Sequence, residues 1–219
     1  MYREMLRMQW RSSIAIVAVL TVVAFAAPLM TVVYGANLGQ ATSYTVASWL
    51  TAAASVGVAI PVIALIIGVL LGMSVWSADH LGHHVYAMSL PLPRWQYVLL
   101  RFGVGLTLLA APVAAVAAGA LLATAAVELP AGLHAYPAPL AVRFAAAALV
   151  CYSLFFALST ATRRVALALL GTLGGFALSD LLLAALGSNT VVVETAFRVL
   201  TTWPGPLAIL MGRWALFDV

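Results

Sequence analysis

Five stretches of the chain, 12–34, 46–76, 102–127, 140–162 and 165–187, stay apolar for roughly 20 residues or more, the length a helix needs to cross about 30 Å of hydrocarbon. Inside a bilayer the backbone N–H and C=O groups must be satisfied within the protein, so single spans of this kind are helices. The expected fold is an all-α integral membrane protein, one domain over 1–219 with five transmembrane helices. The second run is about 31 residues long by the same count, so it tilts, kinks at Pro61 or continues past the membrane into the polar residues after Trp76; continuation is the expected outcome. The tail, 188–219, carries Glu194, Arg198 and Arg213 and is broken by Trp203-Pro204-Gly205-Pro206, which a continuous spanning helix would not easily accept. It reads as two short re-entrant or interfacial helices.

Composition excludes the soluble classes. Hydrophobic residues make up 65% of the chain and charged residues 7%, with a mean hydropathy of +1.12, far from the values of soluble globular domains. The net charge of +4 comes from arginines that are too dispersed to form a nucleic-acid surface. Their placement speaks to topology instead. Arg3, Arg7 and Arg11 precede the first span, Arg94 and Arg101 flank the third, and Arg163 and Arg164 separate the fourth and fifth, so all seven fall on one side. The opposite side has Arg143 at a span edge, Arg198 and Arg213 in the tail, and a first loop, 35–45, without charge. Retention of positive residues in the cytoplasm then predicts a multi-pass protein of the cell membrane with its N-terminus inside. The competing reading of the first span is a cleaved signal peptide with Ala24-Phe25-Ala26 at its cleavage site, but the apolar stretch exceeds a usual signal core. Arg3, Arg7 and Arg11 recur every four positions, which predicts an interfacial helix over 1–11 with its arginines at the headgroups; a frayed positive end that only sets orientation is the alternative. Cys151, the only cysteine, reads as small core filler.

The polar interruption between Trp76 and Arg101 is the most organised loop. Asp79, His80, Gly82, His83, His84, Tyr86 and Ser89 form a short run able to make a helix. Pro91 and Pro93 stop it, and Arg94 and Trp95 anchor the next span at the membrane interface. Together with the basic amphipathic N-terminus, the long second span, and Tyr97 and Arg101 opening the third, this loop resembles the corresponding region in permease subunits of ABC-2-type ATP-driven exporters. The resemblance covers most of the chain in layout and about 25 residues in motif. It implies that residues 79–89 are a coupling helix docked on a separate ATPase subunit, which holds the ATP and Mg, and that the permease works as a dimer with an identical or paralogous copy. Stiffness from Pro91 and Pro93 would carry motion of the ATPase into the second and third spans. The family places a sixth span after short outer helices. Here either 191–219 holds a strongly broken final span or the sequence stops before that helix.

Other polar residues carry less. His80 shares a helical face with His83 and His84, a geometry open to metal, but no second ligand cluster is apparent and His134 is expected across the membrane; a solvated or partner-contacting face is the reading adopted, with no metal site assigned. Asp180 lies within a span, where a carboxylate needs a partner, and Arg143 at similar depth is the candidate, as a structural pair or as part of a polar pathway lining. Gly68-x-x-x-Gly72 and Gly171-x-x-x-Gly175 permit close helix approach. Neither a Gly-rich phosphate loop nor any hydrolase motif occurs, so the chain is expected not to be an enzyme and to take its driving force from elsewhere. The alternative function is a gradient-driven secondary transporter with Asp180 and Arg143 as its relay. Orientation is directly testable in a Cys151→Ala background: a membrane-impermeant maleimide should label Gly39→Cys on intact cells and His84→Cys only after permeabilisation, and the reverse pattern would overturn the assignment.

Overall fold

The computed structural model describes residues 2–41, 46–81, 93–129, 132–160, 171–172, 175, 178–180, 183, 192–205 and 207–218. Four long helices, α1 (Tyr2–Ala41), α2 (Val46–Leu81), α3 (Arg94–Ala125) and α4 (Pro137–Ser159), are followed by a short α5 (Val192–Thr201), a 3₁₀ turn (Ala208–Leu210) and an extended end. Each of the four contains a segment long and apolar enough to cross a membrane: Gln9–Gly35, Trp49–Trp76, Arg94–Ala125 and Pro137–Ser159. Pro28, Pro61 and Pro112 lie inside α1, α2 and α3 without ending them, as bilayer-type helices tolerate. Two other prolines mark helix beginnings. Pro93, extended at φ −60° and ψ 138°, precedes the first turn of α3, and Pro137 opens α4 where its missing N–H costs nothing.

The helix limits correct the sequence reading in two places. The segment 1–11 is not a separate interfacial helix: α1 is continuous from Tyr2, since no glycine or proline intervenes before Pro28 and the arginine stripe keeps the helical register. Continuation of α2 past its span, to Leu81, is as expected. α3 begins at Arg94, well before the first apolar residue of the expected span, because the Pro93 stop and not hydropathy sets its start. Of the expected fifth span, the described residues show helical backbone at Gly171–Thr172, Gly175, Leu178–Asp180 and Leu183. In the tail, where two short helices are expected, the described residues hold the ten-residue α5, a three-residue 3₁₀ turn and an extended end.

The helices run alternately up and down. Contacts join α1 to α3, α2 to α4, α1 to α2 and α3 to α4, a four-cornered bundle in which α2 and α3 touch more sparsely. The end that holds the start of α1 is here the near end. Gln9 of α1 bonds to Ser74 of α2 there, while Gly35 packs on Trp49 at the far end. A two-stranded ribbon closes the far end, β1 (His134–Ala135) pairing antiparallel with β2 (Phe217–Asp218) in the register His134 with Asp218 and Ala135 with Phe217.

Glycines set the helix spacing. A side chain at Gly68 would collide with Cys151 and Tyr152, and one at Gly72 with Phe155 and Phe156, so the Gly68-x-x-x-Gly72 face is the seam along which α2 meets α4. Gly105 receives the Tyr152 ring, whose hydroxyl donates to the Phe102 carbonyl at 3.0 Å, and Gly119 lies against the Phe25 backbone. Around this seam Trp76, Phe102, Tyr152 and Phe156 form a chain of ring contacts at 5.1–5.8 Å. By contrast, among the described residues nothing lies within 4 Å of a side chain built at Gly171 or Gly175. Gly72→Leu should therefore destabilise the detergent-solubilised protein by about 1–3 kcal/mol through overpacking, whereas Gly175→Ala should be neutral or slightly stabilising; thermal unfolding of the two variants checks the contrast.

Candidate functional site

Just inside the base of the 77–93 connection, Arg101 of α3 is buried, with 8% of its surface exposed. A guanidinium in such a place needs an acceptor for each donor it presents. Three helices supply acceptors. Tyr97, one turn earlier on α3, accepts from Nε at 3.1 Å and from Nη2 at 2.8 Å through its hydroxyl. Nη1 donates to the Val75 carbonyl of α2 at 2.7 Å and to Oε1 of Gln9 on α1 at 3.4 Å. Gln9 in turn donates to the Ser13 hydroxyl at 3.1 Å and the Ser74 carbonyl at 3.0 Å, so its amide bridges α1 and α2 beneath the arginine. The cation also lies 6.0 Å from the Trp76 ring centroid and 5.3 Å from that of Tyr97. Trp76 Nε1 is buried without a hydrogen-bond partner among the described residues, held by ring contacts instead.

This knot stands at the root of the expected coupling segment. Asp79 and His80 belong to the last turns of α2, and Arg94 and Trp95 are exposed on the first turn of α3. Gly82, His83, His84, Tyr86, Ser89 and Pro91 lie outside the described residues. Arg3, Arg7 and Arg11 are exposed on the near end of α1, with Arg7 paired to Glu4 at 3.2 Å. No cluster of metal-ligating side chains occurs among the described residues.

A second arginine organises the far end. Arg143, in the second turn of α4, donates from Nε to the Ile209 carbonyl at 3.3 Å and from its two terminal nitrogens to the carbonyls of Met211 and Arg213. Its Cζ stands 4.5 Å over the Trp214 ring. The tail can wrap one guanidinium this closely because Gly212 takes φ +87°, a conformation other residues adopt only with strain. Trp214 closes the turn by donating Nε1 to Leu210 at 3.1 Å, its backbone rests on Gly57 of α2, and Phe217 meets Trp49 edge to face at 5.5 Å. Asp180, the expected partner of Arg143, is half-buried on a helical turn where Ser179 donates to Gly175; the contacts just described bind Arg143 to the tail.

Sequence reasoning placed Arg101 as a topological flank and passed over Gln9, Ser13 and Ser74. The available signal was spacing. Tyr97 and Arg101, and Gln9 and Ser13, are both four residues apart, placing polar pairs on single helical faces among apolar neighbours. Comparisons with protein-family models, with curated proteins and with solved structures find no match to the chain.

The knot predicts a thermodynamic coupling. Tyr97→Phe should destabilise the protein when Arg101 is present, by removing an acceptor from a buried cation, and should have little effect in an Arg101→Met background. A double-mutant cycle on thermal or denaturant unfolding should return a coupling energy of about 0.5–3 kcal/mol, and additivity would mean that the two side chains act separately.

Proposed function

We propose that the chain is the membrane-spanning permease subunit of an ATP-driven exporter of the ABC-2 type, coupled through residues 79–94 to a separate ATPase subunit and working beside a second permease copy. The observation that carries this reading is the Arg101 knot. A loop can convey force into a membrane only if its stems are stiff and tied together. Here α2 continues as helix to Leu81, α3 starts directly after Pro93, and the guanidinium between them binds both stems and α1. A push on the connection would therefore act on three spans as one body.

Chain geometry supports a fifth crossing. Ser159 ends α4 at the near end, where its hydroxyl donates to the Gly72 carbonyl at 3.1 Å, and the tail is at the far end by Ile209, on Arg143. The run 165–187 lies between them and is apolar enough to make the passage. An inside N-terminus agrees with the exposed Arg3, Arg7, Arg11 and Arg94, all at the near end. In this arrangement ATP and Mg belong to the partner subunit. The gradient-driven alternative needs Arg143 to exchange partners with Asp180 in each cycle, yet that guanidinium is held by three carbonyls and an indole face, a structural attachment and not a relay.

The test is affinity purification from native membranes in mild detergent. An ATP-binding-cassette subunit should co-purify with the chain, should be lost when Asp79, His83 and Tyr86 are together replaced by alanine, and should be kept in His134→Ala at the opposite end. Recovery of the folded chain alone would contradict the proposal.

A further inference from the structure

Between the far half of α2 and the tail lies an open cleft of about 900 Å³, within the size range of sites for small ligands. One wall is the outward face of α2, where Val58, Val62 and Leu65 are exposed within a segment able to span the membrane. Met211 and the neighbouring tail backbone form the other. Along α2 the lining runs from Leu50 to Leu65, about 22 Å of helix at 1.5 Å per residue, against roughly 20–22 Å for half of a bilayer with its headgroup region included. The cleft thus has the length of one leaflet and opens sideways to it.

Its charged side chains both come from the tail, Asp218 next to Phe217, which meets Trp49, and Arg213 next to Trp214, whose backbone rests on Gly57. Arg213 and Asp218 both line the cleft and face each other at 3.8 Å, a long contact with the Arg213 side chain 87% exposed. So spaced and so exposed, the pair adds little stability by itself. It does offer one cationic and one anionic group side by side above an apolar slot. That pattern complements a zwitterionic phospholipid: phosphate on the guanidinium, ammonium on the carboxylate, one acyl chain along Val58, Val62 and Leu65. Arg143 is held separately by the tail carbonyls, so the lower edge of the site is fixed while Arg213 stays available to a headgroup.

We propose that this cleft is a binding site for a zwitterionic phospholipid of the far leaflet, held by its acyl chain on α2 and by its headgroup on Arg213 and Asp218. The site is independent of any ATPase partner, so its failure would leave the permease reading untouched, and the converse also holds. Nanodiscs containing phosphatidylethanolamine with a photoactivatable acyl chain provide the test, the cross-linked residues being mapped by mass spectrometry. Labelling should concentrate on residues 58–65 and Met211, at least fivefold above the exposed α1 face at Val19 and Val22. It should fall at least fivefold in Ala54→Trp, or in Val58→Trp if the first variant fails to fold, and several-fold in the double variant Arg213→Ala/Asp218→Ala. A phosphatidylglycerol probe should label the cleft less. Equal labelling of the cleft and the α1 face, indifference to the tryptophan or headgroup-site variants, equal labelling by both lipids, or exclusion of lipid by a second copy cross-linked across the cleft would each overturn the proposal.

Discussion

Burying the Arg101 guanidinium forces three helices to meet at one point. A cation withdrawn from water is tolerated only where acceptors are fixed around it, and here they come from a tyrosine one turn away, a glutamine on α1 and a main-chain carbonyl on α2. The requirement sets the depth and rotation of all three near ends. If α2 slid by one residue, the Val75 carbonyl would leave Nη1; if α1 rotated, Gln9 would lose Ser74 as well as the arginine. The glycine seam against α4 then becomes possible, because Gly68 and Gly72 are already turned toward Tyr152 and Phe156.

The far end repeats the device with a different partner. Arg143 collects three carbonyls from a glycine-turned segment of the tail and stacks on its tryptophan, so a stretch with almost no regular structure acquires a defined position on α2 and α4. Carbonyl acceptors suit both places. Each carbonyl directs a fixed dipole at the guanidinium, which a buried cation needs. The two arginines thus tie opposite ends of the bundle, one joining the transmembrane helices to each other and the other joining the tail to them.

What the sequence made legible follows from which forces are local. The apolar runs identified the long helices because length and hydropathy are summed over twenty residues, and the Gly68-x-x-x-Gly72 spacing identified a packing face because close approach leaves no alternative residue. Helix ends were read less well. Hydropathy marks the edge of the bilayer, but α1 continues to Tyr2 and α3 begins at Arg94 because nothing in those polar turns breaks a helix. The knot was hidden for another reason: Gln9, Ser74 and Arg101 are far apart along the chain, and only the bundle brings them together. Arg143 is legible only as a candidate partner for Asp180, since carbonyls exposed by a turn at Gly212 leave no trace in residue type.

The knot ties α1, α2 and α3 together where α2 and α3 flank the 77–93 connection, and it yields one direct measurement. Hydrogen exchange, followed by mass spectrometry on the detergent-solubilised protein, reports whether the near ends of α1, α2 and α3 open as a unit. In Arg101→Met, peptides covering 9–13, 71–76 and 97–104 should lose protection together while the far-end peptides around Gly119 and Arg143 keep theirs. Loss confined to the peptide that carries the substitution would contradict the account, because the three helices would then be held at that end by packing alone.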